Sequence, residues 1–426
     1  MYSLFQKHPT VCTDTRKIEK GCLFFALKGD TFDANDFALE ALEKGAAYAV
    51  VDRQGLVHPQ FVNVPDVLKA LQELAFLHRC SMKIPVIGLT GSNGKTTTKE
   101  LIYAVLAAKY RVTATQGNLN NHIGVPLSIL QMTRETQIGL FEMGASHPGE
   151  IEELTAIVRP VAGLITNIGK AHLEGFGNLE GVMACKGALY DFLLTHKGHV
   201  VYNQDDPVLV GMLRARNAPQ DLLCPYGAKT QKVKTGTENG ALFLKIDGYP
   251  GIQTQLIGSL NVNNVLAALA FGEMFGVERE KAAAAIAAYK PSNNRSQLME
   301  TPYNALVVDA YNANPTSMAA SLDDFKKLGA TNKCLILGDM RELGDVSLQE
   351  HLKIVEYVRD MPVQQIFWVG PWFTKAAEQM RAPGLCFPNV EALIGHLKKH
   401  PLRHTTTLIK GSNGIRLTKI ISSEVC

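Results

Sequence analysis

The chain has 426 residues, 46% hydrophobic and 19% charged, which is enough apolar material for two or three folded cores and too few charges for a disordered protein. A formal net charge of +3 gives no reason to expect a nucleic-acid partner, and the Met1-Tyr2-Ser3-Leu4 start has no apolar run of signal or membrane-spanning length, so no membrane insertion is expected. Eight scattered cysteines without a Cys-x-x-Cys pair argue against a zinc cage or disulfide framework and point to reduced thiols in a cytoplasm.

The first predicted elements alternate between strand and helix. Residues 22–27 form a short apolar run stopped by Lys28-Gly29-Asp30, residues 37–44 follow a helical pattern ended by Gly45, residues 46–51 read as a buried strand, and a helix over 67–78 closes a small α/β unit. A second unit opens at Pro85 with a strand over 86–89, a glycine loop over 91–94 and a helix over 95–109. Apolar strands follow at 139–143, 162–166 and 198–202, then a glycine-rich, antiparallel stretch near 232–255 and helices over 263–275 and 278–289. Continuous apolar strands alternating with helices predict a parallel sheet covered on both faces. Four more core strands at 305–309, 333–338, 365–370 and 406–409, with helices between them, predict a second doubly wound sheet. Domain boundaries are expected at 1–80, 81–294 and 295–426, with residues 291–295 as a hinge.

The segment Thr90-Gly91-Ser92-Asn93-Gly94-Lys95-Thr96-Thr97 carries the clearest chemistry. Glycines between a strand and a helix let backbone N–H groups converge on an anion, Lys95 can neutralise phosphate, and the Thr96 hydroxyl can hold Mg²⁺. The common spacing G-x-x-x-x-G-K-[ST] is not met, because Leu89 occupies the first-glycine position. A second Gly-Ser-Asn-Gly at 411–414 is followed by Ile415-Arg416; plain turn chemistry is the first reading, and backbone donors for a carboxylate the second. Glu142 and Asn167 end core strands and His172 lies just beyond, so all three are candidate metal donors at the carboxyl edge of the sheet. Lys186, taken alone, reads as a helix-surface lysine.

In this order the pieces resemble the Mur ligase family, whose members join amino acids or peptides to a nucleotide-linked muramic acid. The loop from Thr90 to Thr96, the strand-end Glu142, the Thr166-Asn167-x-x-x-x-His172 segment and Lys186 match the family's motifs, and the matching blocks run from Thr13 to about Arg416. The block Asp309-Ala310-Tyr311-Asn312-Ala313-Asn314-Pro315-Thr316-Ser317-Met318 resembles the member that adds D-alanyl-D-alanine to UDP-N-acetylmuramoyl-tripeptide, as do Gly117-Asn118-Leu119-Asn120-Asn121-His122 and Leu337-Gly338-Asp339-Met340-Arg341-Glu342-Leu343-Gly344.

The resemblance implies a three-domain α/β fold: a small N-terminal UDP-binding domain, a central P-loop-type ATPase domain and a C-terminal Rossmann-like domain. It implies a monomer that uses ATP and two Mg²⁺ ions, held by Thr96, Glu142, His172 and a carbamylated Lys186, with Lys95 and Arg295 on the phosphates. Asp309 is expected on the ATP ribose, Asn312 or Asn314 near the adenine, and Asn264 near the nucleotide; Thr15, Arg16, Lys28, Gly29, Asn120 and Asn121 are expected to meet the UDP-linked substrate. The chain departs from the family pattern at Thr15, Ala34-Asn35, Leu260 and Gly187-Ala188, none of them a proposed metal ligand. The rival classes are a nucleotide-gated switch and a folate polyglutamate synthetase, which would share the ATP loop but not the Asn-Ala-Asn-Pro block.

Overall fold

The computed structural model describes residues 1–238, 241–291, 295 and 297–423. The N-terminal unit is a sheet of four parallel strands in the order Val11–Cys12, Leu23–Phe25, Tyr48–Val51 and Phe61–Asn63. Its inner strands are the two apolar runs apparent in the sequence. The outer two are only two and three residues long, too short to carry a periodic signal. The closing helix, Val67–Ser81, begins at Asp66, whose carboxylate accepts the Lys69 N–H, and buries Val67, Leu71, Leu74 and Ala75.

A six-stranded parallel sheet follows, in the order Leu223–Tyr226, His199–Asn203, Ala162–Ile165, Val86–Thr90, Ile138–Glu142 and Val112–Ala114. Val86–Thr90 is interior and fully buried, as its unbroken apolar composition requires when helices cover both faces. The chain runs from this strand first to one side and then to the other, so a crevice opens beyond its carboxyl end. The helix after it, Lys95–Ala107, packs on the alanine-rich Leu260–Met274 helix. The two approach so closely that a Cβ on Gly272 would lie 2.7 Å from Val105 Cγ1. The expected antiparallel stretch is a three-stranded sheet of Lys234–Glu238, Ala241–Lys245 and Ile252–Gln253.

The last sheet has the order Gln297–Glu300, Ala305–Asp309, Thr406–Lys410, Lys333–Gly338, Gln365–Val369 and Leu385–Phe387. The four strands expected from sequence form its centre. Two edge strands complete it, and Gln297–Glu300 pairs antiparallel to Ala305–Asp309. Of the expected hinge, Ser292, Asn293 and Asn294 lie outside the described residues. The C-terminal unit is docked on the central one: Lys170 pairs with Glu350 at 2.9 Å, and the Ser259 N–H donates to Asp324 at 2.8 Å. Among the described residues no helix is long and apolar enough to cross a membrane.

Candidate active site

The glycine loop leaves the interior strand and enters the Lys95–Ala107 helix, and its shape depends on both glycines. Gly91 has φ +147, and a Cβ there would lie 1.9 Å from Thr166 Oγ1; Gly94 has φ +77, with Asn264 Oδ1 at 2.8 Å from its own virtual Cβ. The end of the neighbouring strand braces the loop from outside. Thr166 Oγ1 donates to the Asn93 carbonyl at 2.7 Å, Asn167 accepts the Asn93 N–H at 3.1 Å and donates back to its carbonyl at 2.9 Å, and Ser92 exchanges hydrogen bonds with Gly169. Asn167, a candidate metal donor in the sequence, thus has both ends of its amide engaged by Asn93. Gly91→Ala is expected to abolish measurable ADP binding by calorimetry. Gly211→Ala, where an added Cβ meets nothing within 4 Å, should leave it unchanged.

Lys95 lies at the cavity wall with its ammonium folded into the loop, donating to the Gly91 carbonyl at 2.7 Å and that of Ser92 at 3.3 Å. Burial draws this ammonium below the usual lysine range, Glu142 opposes the shift, and Arg295 adds to it. Glu142 ends the adjoining strand, opposite Leu89 in the ladder, and is 1% exposed. Its Oε1 accepts from Asn120 Nδ2 at 2.7 Å, whereas its Oε2 and the buried Oγ1 of Thr96 have no hydrogen-bond partner among the described residues. The structure corrects the surface reading of Lys186. This side chain is 1% exposed, midway along the Leu179–Thr195 helix, and burial followed by the Lys95 charge pulls its amine down to about 7. His172 Nδ1 lies 2.5 Å from Oε2 of Glu342, an approach close enough for an ion pair though not aligned as an ideal hydrogen bond.

From the C-terminal sheet, Asp309 faces the same space, its Oδ2 engaged by Ser321 Oγ at 2.9 Å and by the Lys410 ammonium. The Arg295 guanidinium lies 3.6 Å from the Tyr311 ring centre, and its Nε has no partner among the described residues. Asn312 accepts the N–H of Ala313 at 2.9 Å. Asn314 caps the Pro315–Lys327 helix in a reciprocal box with Ser317 and donates to Asn93 Oδ1 at 2.7 Å, so it ties the third unit to the phosphate loop. Asn264 is equally committed, accepting from Thr98 Oγ1 at 3.0 Å and donating to Asn261 at 2.8 Å.

One cavity of about 900 Å³ collects Ser92, Asn93, Gly94, Lys95, Thr97, Glu142, His172, Asn264, Arg295, Asp309 and Asn312, with Asn120 and Asn121 farther along its wall. Thr15, Arg16, Lys28 and Gly29 do not line it. They stay on the N-terminal unit, where Arg16 grips Asp14 at 2.8 and 2.9 Å, Lys28 pairs with Asp52 at 2.9 Å, the Phe32 ring covers Gly29, and the Thr15 carbonyl accepts from Lys44 at 3.2 Å. Lys186 and Asn314 also lie behind the lining rather than on it. Lys410, Tyr311, Arg341 and Glu342 line the cavity without having been assigned a role from sequence. Lys410 meets Asp309 only because the two strands pair in register, which no local motif reveals.

Among the described residues there is no cluster of three or more His, Cys, Asp or Glu side chains that could hold a metal. The donors present, a hydroxyl, one carboxylate and one imidazole beside a buried lysine, suit a hard cation completed by phosphate oxygens better than a zinc-like cage.

The family description "Mur ligase family, catalytic domain" matches residues 10–79, "Mur ligase middle domain" matches 89–272, and "Mur ligase, glutamate ligase domain" matches 294–413. The UDP-N-acetylmuramoyl-tripeptide--D-alanyl-D-alanine ligase of Bacillus subtilis is 35% identical, the alignment covering 97% of this chain and 93% of that protein; the Escherichia coli protein of the same name is 34% identical over 96% and 92%. Among solved structures, MurF from Acinetobacter baumannii superposes with a TM-score of 0.87 at 30% identity, covering 98% of this chain and 93% of that one. The Thermotoga maritima MurF ligase in complex with ADP gives 0.86 at 25% identity, covering 100% and 98%.

Proposed function

The chain belongs to the Mur ligase family, and from that premise we propose that it joins D-alanyl-D-alanine to UDP-N-acetylmuramoyl-tripeptide with cleavage of ATP, in peptidoglycan precursor synthesis. The observation that carries the site reading is the pair of buried oxygens without partners, Thr96 Oγ1 and Glu142 Oε2, one behind the phosphate loop and the other on the adjoining strand. Two oxygens stripped of water and left without donors fit a hard cation. With His172, a carbamylated Lys186 and the nucleotide's phosphates they would hold two Mg²⁺ ions, which would withdraw charge from the γ-phosphate.

The residues of the chain divide the remaining work. Lys95, released from its loop carbonyls, and Arg295 neutralise the phosphates while the tripeptide's terminal carboxylate oxygen attacks the γ-phosphorus and ADP departs. The neutral amine of D-alanyl-D-alanine then attacks the acyl carbon of the acyl phosphate, inorganic phosphate leaves, and the nitrogen loses a proton to give the pentapeptide amide. Asp309 holds the ribose, Asn312 borders the adenine, Asn264 lies beside the nucleotide, and Asn314 keeps the lid on the loop. Asn120 and Asn121 face the muramoyl peptide, while Thr15, Arg16, Lys28 and Gly29 take the uridine diphosphate end. In this division residues 1–80, 81–294 and 295–426 are the uridine, ATP and lid domains of a cytoplasmic monomer. Phosphate release with ATP should require the UDP-linked tripeptide and D-alanyl-D-alanine together. Equal release from ATP alone would instead mark a nucleotide switch.

A further inference from the structure

The loop after the Lys333–Gly338 strand is anchored residue by residue. Asp339 accepts the N–H groups of Trp372 at 3.0 Å and Phe373 at 2.8 Å, the Met340 N–H donates to His351 Nε2 at 3.0 Å, and the Arg341 N–H donates to Ser412 Oγ at 2.9 Å. The next residue, Glu342, adopts φ +64, a left-handed conformation that non-glycine residues seldom take. Its carbonyl accepts the Glu174 N–H at 3.2 Å, and its half-exposed carboxylate lies 2.5 Å from His172 Nδ1, out of line for a hydrogen bond, so that this buried nitrogen has no hydrogen-bond partner among the described residues. His172 is itself left-handed, with φ +53. Two uncommon backbone conformations, on separate units of the chain, thus meet at one carboxylate–imidazole contact inside the large cavity.

An exposed glutamate on a free loop would gain little by such a contact. Here the loop is fixed before Glu342 is reached, so the carboxylate is presented at small entropic cost. We infer that Glu342 is a positioning residue: docking of the C-terminal unit brings its carboxylate within reach of the orphaned Nδ1, and a small rotation of that carboxylate lets it take the Nδ1–H of His172, fix that tautomer and leave Nε2 as the lone-pair nitrogen for a divalent cation. The inference rests on the metal-ligand role proposed for His172. It makes the metal site of the central unit complete only when the third unit is in place.

The test uses the full-length chain with ¹⁵N-labelled histidine rings, the His172 signals being assigned through His172→Gln. Without metal or nucleotide, wild type is expected to show the Nδ1–H form, and Glu342→Ala the Nε2–H form. With ADP present, Glu342→Ala should weaken Mn²⁺ binding, read by electron paramagnetic resonance, by about 10-fold or more. Its kcat should fall by a similar factor with the KM for the UDP-linked substrate nearly unchanged, and Glu342→Gln, which keeps an acceptor oxygen, should recover most of both. An unchanged His172 tautomer in folded Glu342→Ala, unchanged Mn²⁺ affinity, a loss confined to KM, or a glutamine variant as impaired as alanine would each overturn the inference. If wild type shows no ligase turnover, the functional reading falls, while the ring spectrum still decides the role of Glu342.

Discussion

Lys95→Ala is expected to lower kcat by about three orders of magnitude, close to 4 kcal/mol of transition-state stabilisation, without unfolding the protein. The ammonium lies among the carbonyls of Gly91 and Ser92, in the loop that would cradle the phosphates, and no other lysine of that loop can replace it. Removing it should not harm the fold. Burial already draws its pKa below the ordinary lysine value of 10.5, so the folded state disfavours this cation relative to the unfolded chain. The unfolded chain therefore binds more protons as pH approaches 10.5 from below, and this group makes wild-type stability rise with pH in that window. The alanine variant should lose that contribution to the slope and melt no lower than wild type. Lys95→Arg should rescue poorly, since a planar guanidinium does not fit where a compact ammonium meets two carbonyls. Phosphate release at saturating substrates together with thermal melts decides the matter. A loss smaller than 10-fold in a folded variant would remove Lys95 from the chemistry.

How much of this was legible in the sequence depended on whether the signal was local. The loop was legible because strand, glycines, Lys95 and Thr96 are contiguous, and Glu142 and His172 because the first ends an apolar strand and the second lies a few residues beyond the next one. Long apolar strands were equally plain. Edge strands such as Val11–Cys12 and Leu385–Phe387 were not, being too short for periodicity, and the antiparallel Gln297–Glu300 carries no apolar run. The burial of Lys186 was hidden because a lysine in a helix is ordinarily solvated. Its helix also buries Val182, Cys185, Leu189 and Tyr190, and the ammonium lies 5.8 Å from the Phe176 ring centre, a setting that only the tertiary packing reveals. The Lys410–Asp309 pair depends on strand register, and the Glu342–His172 and Asn314–Asn93 contacts depend on one unit docking on another. Such contacts have no spacing to read.

The buried lysine carries the second large effect. Lys186→Ala is expected to lose at least about 100-fold in kcat and to regain part of it when acetate or formate is added, as a small carboxylate takes the place of the carbamate. As encoded, the buried amine is an electrostatic liability. Burial first, and the neighbouring Lys95 charge second, hold the amine near 7, while Cys185 and Glu150 pull weakly the other way. A neutral amine can add CO₂, forming an N–C bond and releasing a proton, and the product is an anion. The same Lys95 charge that disfavours an ammonium favours that anion, so carbamylation would convert an electrostatic liability into a ligand for a hard cation. Uptake of CO₂ should hold where the amine is neutral and fail as pH falls through about 7, so activity should drop on the acid side and respond there to added bicarbonate. Lys186→Arg, which cannot form the carbamate, should be as impaired as alanine and deaf to acetate, because its side chain fills the space the acid would need. Wild-type turnover from folded Lys186→Ala, or a deficit that no short carboxylate relieves, would leave this lysine a buried packing residue.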